Sequence, residues 1–171
     1  MTDRDFRDAY RLHRDVLYRF AYRMTGSAAA AEDVVQDSFL ALWKRPQAYA
    51  PSRGPLRAFL LGIARNVALK RLRQERPHQD LDEDSAVCAP VDVTAGERAE
   101  IVSRAVGNLP PLQREALILA EYEEMSLEEI GQATESEIAC VKSRLHRARE
   151  NLRRMLAPLL EEEWKAYGTE R

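Results

Sequence analysis

The sequence predicts an all-α protein made of two small helical domains. Three observations support this fold class. Residues that favour helices (Ala, Leu, Arg and Glu) are abundant, glycine occurs only 7 times, and the β-branched runs that strands need are missing. Apolar residues recur at three- and four-residue steps. With 45% apolar and 32% charged residues, the 171-residue chain can bury one ordinary core or two small ones.

The first two predicted helices are separated by a glycine. An apolar stripe runs from Phe6 to Met24, and the helix should end near Gly26, which tolerates a left-handed conformation. Ser27 can cap the next helix. Trp43 closes the second helix before Pro46. The apolar stripe of the first helix consists of Phe6, Tyr10, Val16, Leu17, Phe20 and Met24. The buried row of the second helix consists of Ala31, Val35, Phe39 and Leu42.

A third helix follows a loop that contains Pro51, Gly54 and Pro55. Apolar residues at Leu56, Leu60, Ile63 and Val67 define this helix, which should run to about Gln74. Three helices can enclose one small core. The third helix also carries an excess of cations that is typical of nucleic-acid binding, namely Arg57, Arg65, Lys70, Arg71 and Arg73.

Charge divides the chain into segments that its net charge of -2 conceals. Residues 1–77 carry a net +7, residues 78–100 carry -6, and residues 101–171 carry -3. A basic domain beside an acidic connector is expected where one part meets a polyanion. The acidic stretch has no helical period, so we predict a domain at 1–77, a flexible acidic linker at 78–98, a second domain at 99–157 and a tail at 158–171.

The second half is predicted to begin with two helices separated by a proline pair. The first of them, from Ile101, ends near Leu109, and Pro110 and Pro111 break the chain before a helix that runs to about Glu124. Ser126 and Glu129 have the spacing of a capping box and open a short helix that ends near Ala133. Glu135 and Ser136 form the next turn.

The last predicted helix carries a basic ridge opposite its apolar stripe. The apolar stripe is Ile138, Val141, Leu145, Ala148 and Leu152, and the ridge is Lys142, His146, Arg149 and Arg153. Residues 136–156 contain six basic and two acidic side chains, whereas residues 115–135 contain seven acidic and none basic. An acidic helix, a short turn and a basic helix indicate a helix-turn-helix whose second helix enters the major groove.

Several classes of protein are disfavoured. The apolar run Phe59–Ala64 is far shorter than the roughly 20 residues of a membrane span, and the N-terminus has no apolar signal segment, so we expect a cytoplasmic protein without membrane insertion. Cys88 and Cys140 have no partner at metal-ligand spacing, so we expect two reduced thiols, no disulfide and no metal. No catalytic residues and no cofactor are expected.

These motifs together resemble a known family. Met125–Ile130, a ten-residue spacer and Val141–Arg149 are similar to the final domain of extracytoplasmic-function (ECF, group IV) RNA polymerase sigma factors, and Leu109–Ala116 fits the same pattern. Ala31–Phe39 and Leu56–Asn66 resemble that family's other domain. The resemblance implies a sigma region 2-like helical bundle and a sigma region 4-like helix-turn-helix.

The resemblance also implies roles for residues of the first domain. The acidic second helix would bind core polymerase, with Asp33, Gln36, Asp37, Phe39 and Trp43 as the candidates. The loop at Tyr49 and the helix with Arg65 and Asn66 resemble the reader of the minus-ten element, which traps an unstacked base. In this reading Asn66 pairs with the base and Tyr49 stacks on it, although a loop aromatic is as often a core plug. Phosphate is held by Arg53, Arg57, Lys70 and Arg71.

In the second domain, the resemblance implies contacts with the minus-thirty-five duplex. Lys142, Ser143, His146 and Arg147 face the duplex, with Arg144 and Arg149 nearer phosphate. The sequence departs from the family at two positions. Glu135 stands where a glycine is usual in the turn, and Thr134 replaces an expected apolar residue. A non-glycine residue in the left-handed region costs about 1 kcal/mol.

The implied function is to bring core RNA polymerase, through its clamp and flap regions, to two-part promoter DNA. An anti-sigma factor would mask the same surfaces. Three alternatives remain open. A conventional regulator would need a ligand or receiver domain in front, and an enzyme would need a nucleophile, metal or phosphate-loop constellation. An adaptor that does not touch DNA would be insensitive to replacing Lys142 and Arg147.

Overall fold

The computed structural model describes residues 2–77, 91–92, 96–159 and 161, and these residues contain helices and turns but no strand. The helices are α1 (Asp3–Thr25), α2 (Ala28–Lys44), α3 (Leu56–Glu75), α4 (Arg98–Gly107), α5 (Pro111–Leu117), α6 (Leu127–Thr134) and α7 (Ile138–Met155). Two single 3-10 turns, Pro46–Ala48 and Pro51–Arg53, form the loop between α2 and α3. The all-α prediction is confirmed. Cys88, most of the predicted linker and most of the tail lie outside the described residues.

The caps of the first helices are those that the sequence predicts. Gly26 ends α1 with a left-handed φ of 69°, which glycine adopts without steric cost. The Ser27 hydroxyl accepts a hydrogen bond from the backbone N–H of Ala30 and so caps α2. The two helices can therefore reverse direction within two residues, and they pack against each other along their length.

Helix α3 is buried on more sides than one apolar stripe predicts. Of the predicted stripe only Leu60 is fully buried, whereas Leu61, Ala64, Ala68 and Leu69 on other faces are also buried. The reason is that α3 packs against α1 and α2 and also against α6 of the second half. A Cβ at Gly62 would lie 3.0 Å from the carbonyl oxygen of Ala133, so the absent side chain is what allows α6 this close.

The two halves share one hydrophobic core. The buried apolar residues form a continuous cluster that runs from Leu17 in α1 to Met155 in α7. The sequence allowed one ordinary core or two small ones, and in the described residues the cluster is continuous. The physical reason is that α3, α5 and α6 each have more apolar surface than their own half can cover.

The helix after the proline pair changes from α to π geometry before its predicted end near Glu124. Helix α5 stops at Leu117, and the chain continues through a wider π-type turn, Ile118–Tyr122, to Glu124 at a left-handed φ of 52°. The wider turn lets the backbone N–H of Met125 reach the carbonyl oxygen of Leu119. Such turns appear mostly as local deviations inside helices, where sequence propensity gives no signal for them.

The helix-turn-helix itself follows the prediction closely. The Ser126 hydroxyl accepts from the N–H of Glu129, and the Glu129 carboxylate accepts from the N–H of Ser126, which completes the predicted capping box. Glu135 is left-handed with φ 52°. The buried Thr134 hydroxyl donates to the carbonyl oxygen of Ile130, so its polar group is satisfied in the core. Ile138, predicted to be buried, is 40% exposed because it lies in the first turn of α7.

Candidate nucleic-acid interface

Helix α7 presents a polar face to solvent, as the sequence predicts. Val141, Leu145 and Ala148 are buried against the rest of the second half. On the other side Lys142 and His146 are exposed, and Ser143 and Arg147 are partly exposed. One face of a helix that is otherwise anchored by its apolar stripe can enter a groove of DNA as a rigid element.

The two arginines predicted to lie nearer phosphate differ in their surroundings. The Arg144 side chain is only 15% exposed, donates to the Ser136 hydroxyl at 2.9 Å, and lies 3.8 Å from a carboxylate oxygen of Glu115. Arg149 is 56% exposed and donates to Glu121 of the π-type turn at 2.5 Å. Arg149 is therefore available to an approaching phosphate, whereas Arg144 is held in the protein.

Asn66 lies on the exposed side of α3, and its neighbour Arg65 does not. The Arg65 guanidinium donates to both carboxylate oxygens of Glu115, at 2.6 and 3.0 Å, and to the Asn66 side-chain oxygen at 3.0 Å. Glu115 is fully buried and Arg65 is 15% exposed. The predicted base-reading amide is therefore oriented by an arginine that is itself fixed by the second half of the chain.

Arg57 is also fixed by the second half. Its guanidinium donates to the backbone carbonyl oxygen of Glu123 at 3.0 Å and to the Glu123 carboxylate at 2.7 Å. The Glu123 side chain is 3% exposed. The charge of Arg57 also acts on His13 in the first half. Burial lowers the pKa of the His13 imidazole below its ordinary value, and the positive charge of Arg57 lowers this pKa further.

The loop before α3 holds Tyr49 in a packed position. The Tyr49 ring lies 5.5 Å from the ring of Phe59, centroid to centroid, and its hydroxyl donates to the carbonyl oxygen of Gly54 at 3.3 Å. Arg53 and Lys70 are exposed. Tyr49 therefore packs inside the loop, which is the second of the two roles that the sequence allowed. Its ring would have to move in order to stack on a base.

The predicted polymerase-binding face of α2 is exposed except at one position. Asp33, Gln36 and Asp37 are exposed, and Trp43 is 48% exposed. Phe39 is 3% exposed and packs edge-on against Phe6, so the structure contradicts a direct surface contact for Phe39. A large ring in the buried row of an amphipathic helix supports the surface from beneath.

Arg71 pairs with the acidic face of α2 in this structure. Its guanidinium lies 3.1 Å from a carboxylate oxygen of Asp33 and 3.5 Å from one of Asp37. All three side chains are 30% exposed or more, so these pairs contribute little to stability and a stronger partner can displace them. Arg71 therefore remains a candidate for phosphate contact.

Sequence reasoning missed the carboxylates that join the two halves. Glu115 and Glu123 lie in a strongly acidic stretch that reads as a solvated face, yet both are buried. No spacing rule distinguishes them, because their partners Arg57 and Arg65 are some 50 to 66 positions away. One pattern in the sequence could have indicated that Glu115 is buried: its neighbours Leu112, Ala116 and Leu117 are apolar.

Other kinds of site are not found in the part of the chain that the structure describes. These residues contain no group of three His, Cys, Asp or Glu side chains placed to hold a metal ion. Cys140 is a free, exposed thiol at the start of α7. Among the same residues, none of the helices has the length and apolar character needed to cross a bilayer.

Comparison with family models agrees with this geometry. Residues 9–78 match the model of Sigma-70 region 2, and residues 99–152 match that of Sigma-70 region 4. The first match covers most of α1 and all of α2 and α3, and it includes Asn66 and the acidic face of α2. The second covers most of α4, all of α5 and α6 and most of α7, so it includes the turn of the helix-turn-helix.

Individual relatives extend over nearly the whole chain. The chain is 30% identical to the ECF RNA polymerase sigma factor SigW of Bacillus subtilis over 169 residues, covering 90% of each protein. It is 34% identical to the ECF RNA polymerase sigma factor SigL of Mycobacterium tuberculosis over 160 residues, covering 90% of this chain and 89% of that protein.

Solved structures of the same fold include complexes. The sigma factor RpoE of Bartonella quintana, solved with the anti-sigma factor NepR, superposes with a TM-score of 0.71 at 27% identity and covers 90% of this chain and 97% of that one. The structure of CnrH with the cytosolic domain of CnrY gives a TM-score of 0.68 at 23% identity, with 92% and 90% covered, and shows the same fold.

Proposed function

The chain belongs to the extracytoplasmic-function family of RNA polymerase sigma factors, and from that premise we propose how its residues divide the work of promoter recognition. A factor of this family binds core RNA polymerase and directs initiation at promoters with minus-ten and minus-thirty-five elements, under the control of an anti-sigma factor. One observation supports this division of roles. Asn66 is exposed on α3 within the first matched region, and Lys142 is exposed on α7 within the second.

The second matched region is proposed to read the minus-thirty-five element as a duplex. Lys142, Ser143, His146 and Arg147 occupy the exposed side of α7, where side chains of a helix in the major groove meet base edges. Arg149 is placed to contact phosphate, because it is exposed and its partner Glu121 is exposed as well. Arg144 contributes by fixing the turn through Ser136.

The first matched region is proposed to read and melt the minus-ten element. Asn66 supplies an amide that can pair with the hydrogen-bonding edge of an extruded base, and the nearby cations Arg53, Lys70 and Arg71 can hold the strand by its phosphates. Melting is driven by capture of flipped bases, so the chain needs no hydrolysis of its own. Tyr49 can stack on a base after its loop rearranges.

Polymerase binding is proposed for the exposed face of α2. Asp33, Gln36, Asp37 and Trp43 present carboxylates, an amide and an indole on one surface, with Phe39 as its buried support. This face would dock on the polymerase clamp, and the second matched region on the flap. The proposed location is the cytoplasm, where core polymerase and DNA are found.

The test is in-vitro transcription with bacterial core polymerase on a library of genomic fragments, using wild type, Asn66→Ala and Lys142→Ala. Wild type should initiate at sites that share a two-part motif. Asn66→Ala should lose or relax preference at the upstream edge of the melted region, because the amide that pairs with the flipped base is gone. Lys142→Ala should lose preference in the upstream duplex element only.

The matched control is Arg7→Ala, which removes an exposed cation of α1 outside the faces assigned to promoter DNA. It should initiate at the same sites as wild type. Core polymerase that binds the protein but initiates nowhere would point to an adaptor, and the assignment of DNA-reading residues would then be wrong. Initiation that is indifferent to both Asn66→Ala and Lys142→Ala would also reject these assignments.

A further inference from the structure

One buried carboxylate holds arginines from both matched regions. Glu115 in α5 accepts from Arg65 of α3 at 2.6 and 3.0 Å and lies 3.8 Å from Arg144 of α7. Glu115 is fully buried, and both arginines are 15% exposed. The helix proposed to read the minus-ten element and the helix proposed to read the minus-thirty-five element therefore meet at a single side chain.

The promoter cannot accommodate both helices in this arrangement. Elements centred about 25 base pairs apart lie roughly 85 Å apart along duplex DNA, at about 3.4 Å per base pair. A compact chain of this length has a radius of gyration of only about 16 Å. The residues between Glu75 and Arg98 are numerous enough to span roughly 75 Å when extended. Both elements can be engaged only after α3 separates from α5, α6 and α7.

Two further contacts hold the same two halves together. Arg57 of α3 is bound in bidentate fashion by the carboxylate and carbonyl oxygens of Glu123. Helix α6 approaches α3 so closely that a Cβ at Gly62 would meet the carbonyl oxygen of Ala133 at 3.0 Å. These contacts cover the side of α3 that carries Arg57 and Arg65, two of the cations assigned to the minus-ten region.

We infer that the free protein is self-masked: Glu115 and Glu123 act as substitute anions that occupy Arg65 and Arg57 and keep the two DNA-reading helices folded onto each other until polymerase and promoter separate them. This inference rests on the proposed function, together with the places at the minus-ten element that the family resemblance implies for Arg57 and Arg65. It adds a closed state of the free chain, together with the residues that hold it closed.

The two buried pairs, Glu115 with Arg65 and Glu123 with Arg57, are together called the latch, and their chemistry allows it to open reversibly. Forming a buried ion pair removes water from both charges, and this cost offsets much of their attraction. The paired state and the separated, hydrated state are therefore closer in free energy than the short distances suggest. A phosphate strand can replace a carboxylate as the partner of an arginine with the same bidentate geometry. Affinity of a closed protein for promoter DNA is reduced by the fraction of molecules that are closed. Weakening the latch should therefore raise apparent affinity.

The test compares Glu115→Gln and Glu123→Gln with the control Glu121→Gln. The control removes a carboxylate of the same half whose pair with Arg149 is exposed and does not join the halves. Small-angle scattering of the free full-length proteins should give a radius of gyration near 16 Å for wild type and the control, and above about 20 Å for the two latch variants. Helical circular dichroism should be the same for all four.

A second test uses no change of charge. Gly62→Ala places a methyl group against the Ala133 carbonyl oxygen, whereas Gly107→Ala, the control, meets nothing within 4 Å. Gly62→Ala should expand the free protein as the latch variants do, and Gly107→Ala should not. This pair keeps the inference testable if Glu115→Gln unfolds the second half, in which Glu115 also neighbours Arg144.

The functional measurement is the protein concentration that gives half-maximal initiation on the fragments found with the library. The latch variants should need at least about fivefold less protein than wild type. A wild type that is already expanded, or latch variants that stay compact and need as much protein as wild type, would overturn the inference. Scattering does not depend on transcription, so a chain that closes but never initiates would refute the proposed function and leave the latch standing.

Discussion

The guanidinium of Arg114 in α5 donates a hydrogen bond to the backbone carbonyl oxygen of Met24 near the end of α1. The same guanidinium donates to the carbonyl oxygens of Gly107 at 2.5 Å and Leu109 at 2.9 Å. Burial lowers the pKa of Arg114 to about 10, so the side chain still carries its charge at neutral pH. A single cation thus satisfies carbonyl groups from both halves of the chain.

Replacing Arg114 with Met should lower the free energy of unfolding by about 3 kcal/mol. The carbonyl groups of Met24, Gly107 and Leu109 would lose their buried donor, and each unsatisfied buried group is costly. Denaturant unfolding monitored by circular dichroism measures the change. Arg153→Met removes an exposed arginine of α7 and should change stability by less than about 0.5 kcal/mol. Equal effects of the two changes would mean that the Arg114 contacts contribute nothing.

Stability should fall as the pH drops below the ordinary pKa of histidine, and His13 should account for part of the loss. Desolvation and the nearby charge of Arg57 lower the pKa of His13 below 6.5 in the folded protein. Above 6.5 the imidazole is neutral in both the folded and the unfolded chain. Below it the unfolded chain binds a proton that the folded chain resists, so unfolding is favoured until the folded pKa is passed.

The measurement is the thermal midpoint at pH 7.5 and at pH 5.5 for wild type and His13→Gln. The difference between the two midpoints should be smaller for His13→Gln, because Gln cannot take up the proton. His146→Gln, on the exposed side of α7, serves as the control and should keep the wild-type difference. A His13→Gln variant with the full wild-type pH response would show that other groups cause it.

Glu135→Gly should stabilise the protein by about 1 kcal/mol. Glu135 occupies the left-handed region with φ 52°, where a glycine has no Cβ to clash. Glu128→Gly, in the helical first turn of α6, is the matched control and should destabilise by about 0.5–1 kcal/mol, because glycine disfavours a helix. Denaturant midpoints decide between these directions, and a loss of stability in Glu135→Gly would mean that its side chain outweighs its backbone strain.

Arg149→Ala should weaken binding of the minus-thirty-five duplex and reduce its salt dependence. One phosphate contact fewer lowers the slope of log affinity against log salt by about 0.9. The assay is the affinity of the assembled holoenzyme for promoter duplex at several salt concentrations. Arg7→Ala, on the distant α1, should keep the wild-type slope. An unchanged slope in Arg149→Ala would remove Arg149 from the phosphate-contacting set.

Much of the local structure was predictable from sequence because its causes are local. Ser27, Gly26 and the pair Ser126 and Glu129 act on backbone groups within three or four residues, so their spacing identifies the helix ends. The turn at Glu135 was predictable for the same reason. The exposed face of α7 followed from the period of its apolar stripe, which needs no knowledge of the partner that buries it.

The residues that join the halves were not predictable, because their causes are distant in sequence. Arg65 and Arg57 are typical of a solvated basic helix, and Glu115 and Glu123 of a solvated acidic one. Only the packing of α3 against α6 places these opposite charges together in a buried interface. Phe39 is a different case, because periodicity placed it correctly in the buried row of α2 and only the family resemblance assigned it to a contact surface.

The sequence by itself therefore determined the helical class, most of the helix ends and the face of α7 that meets solvent. Each of these follows from periodicity and capping, which act over a few residues. The tertiary structure alone decided that both halves share one core and that Glu115 couples Arg65 to Arg144. That arrangement depends on the fit of apolar surfaces and the burial of charges from remote segments, which no local pattern encodes.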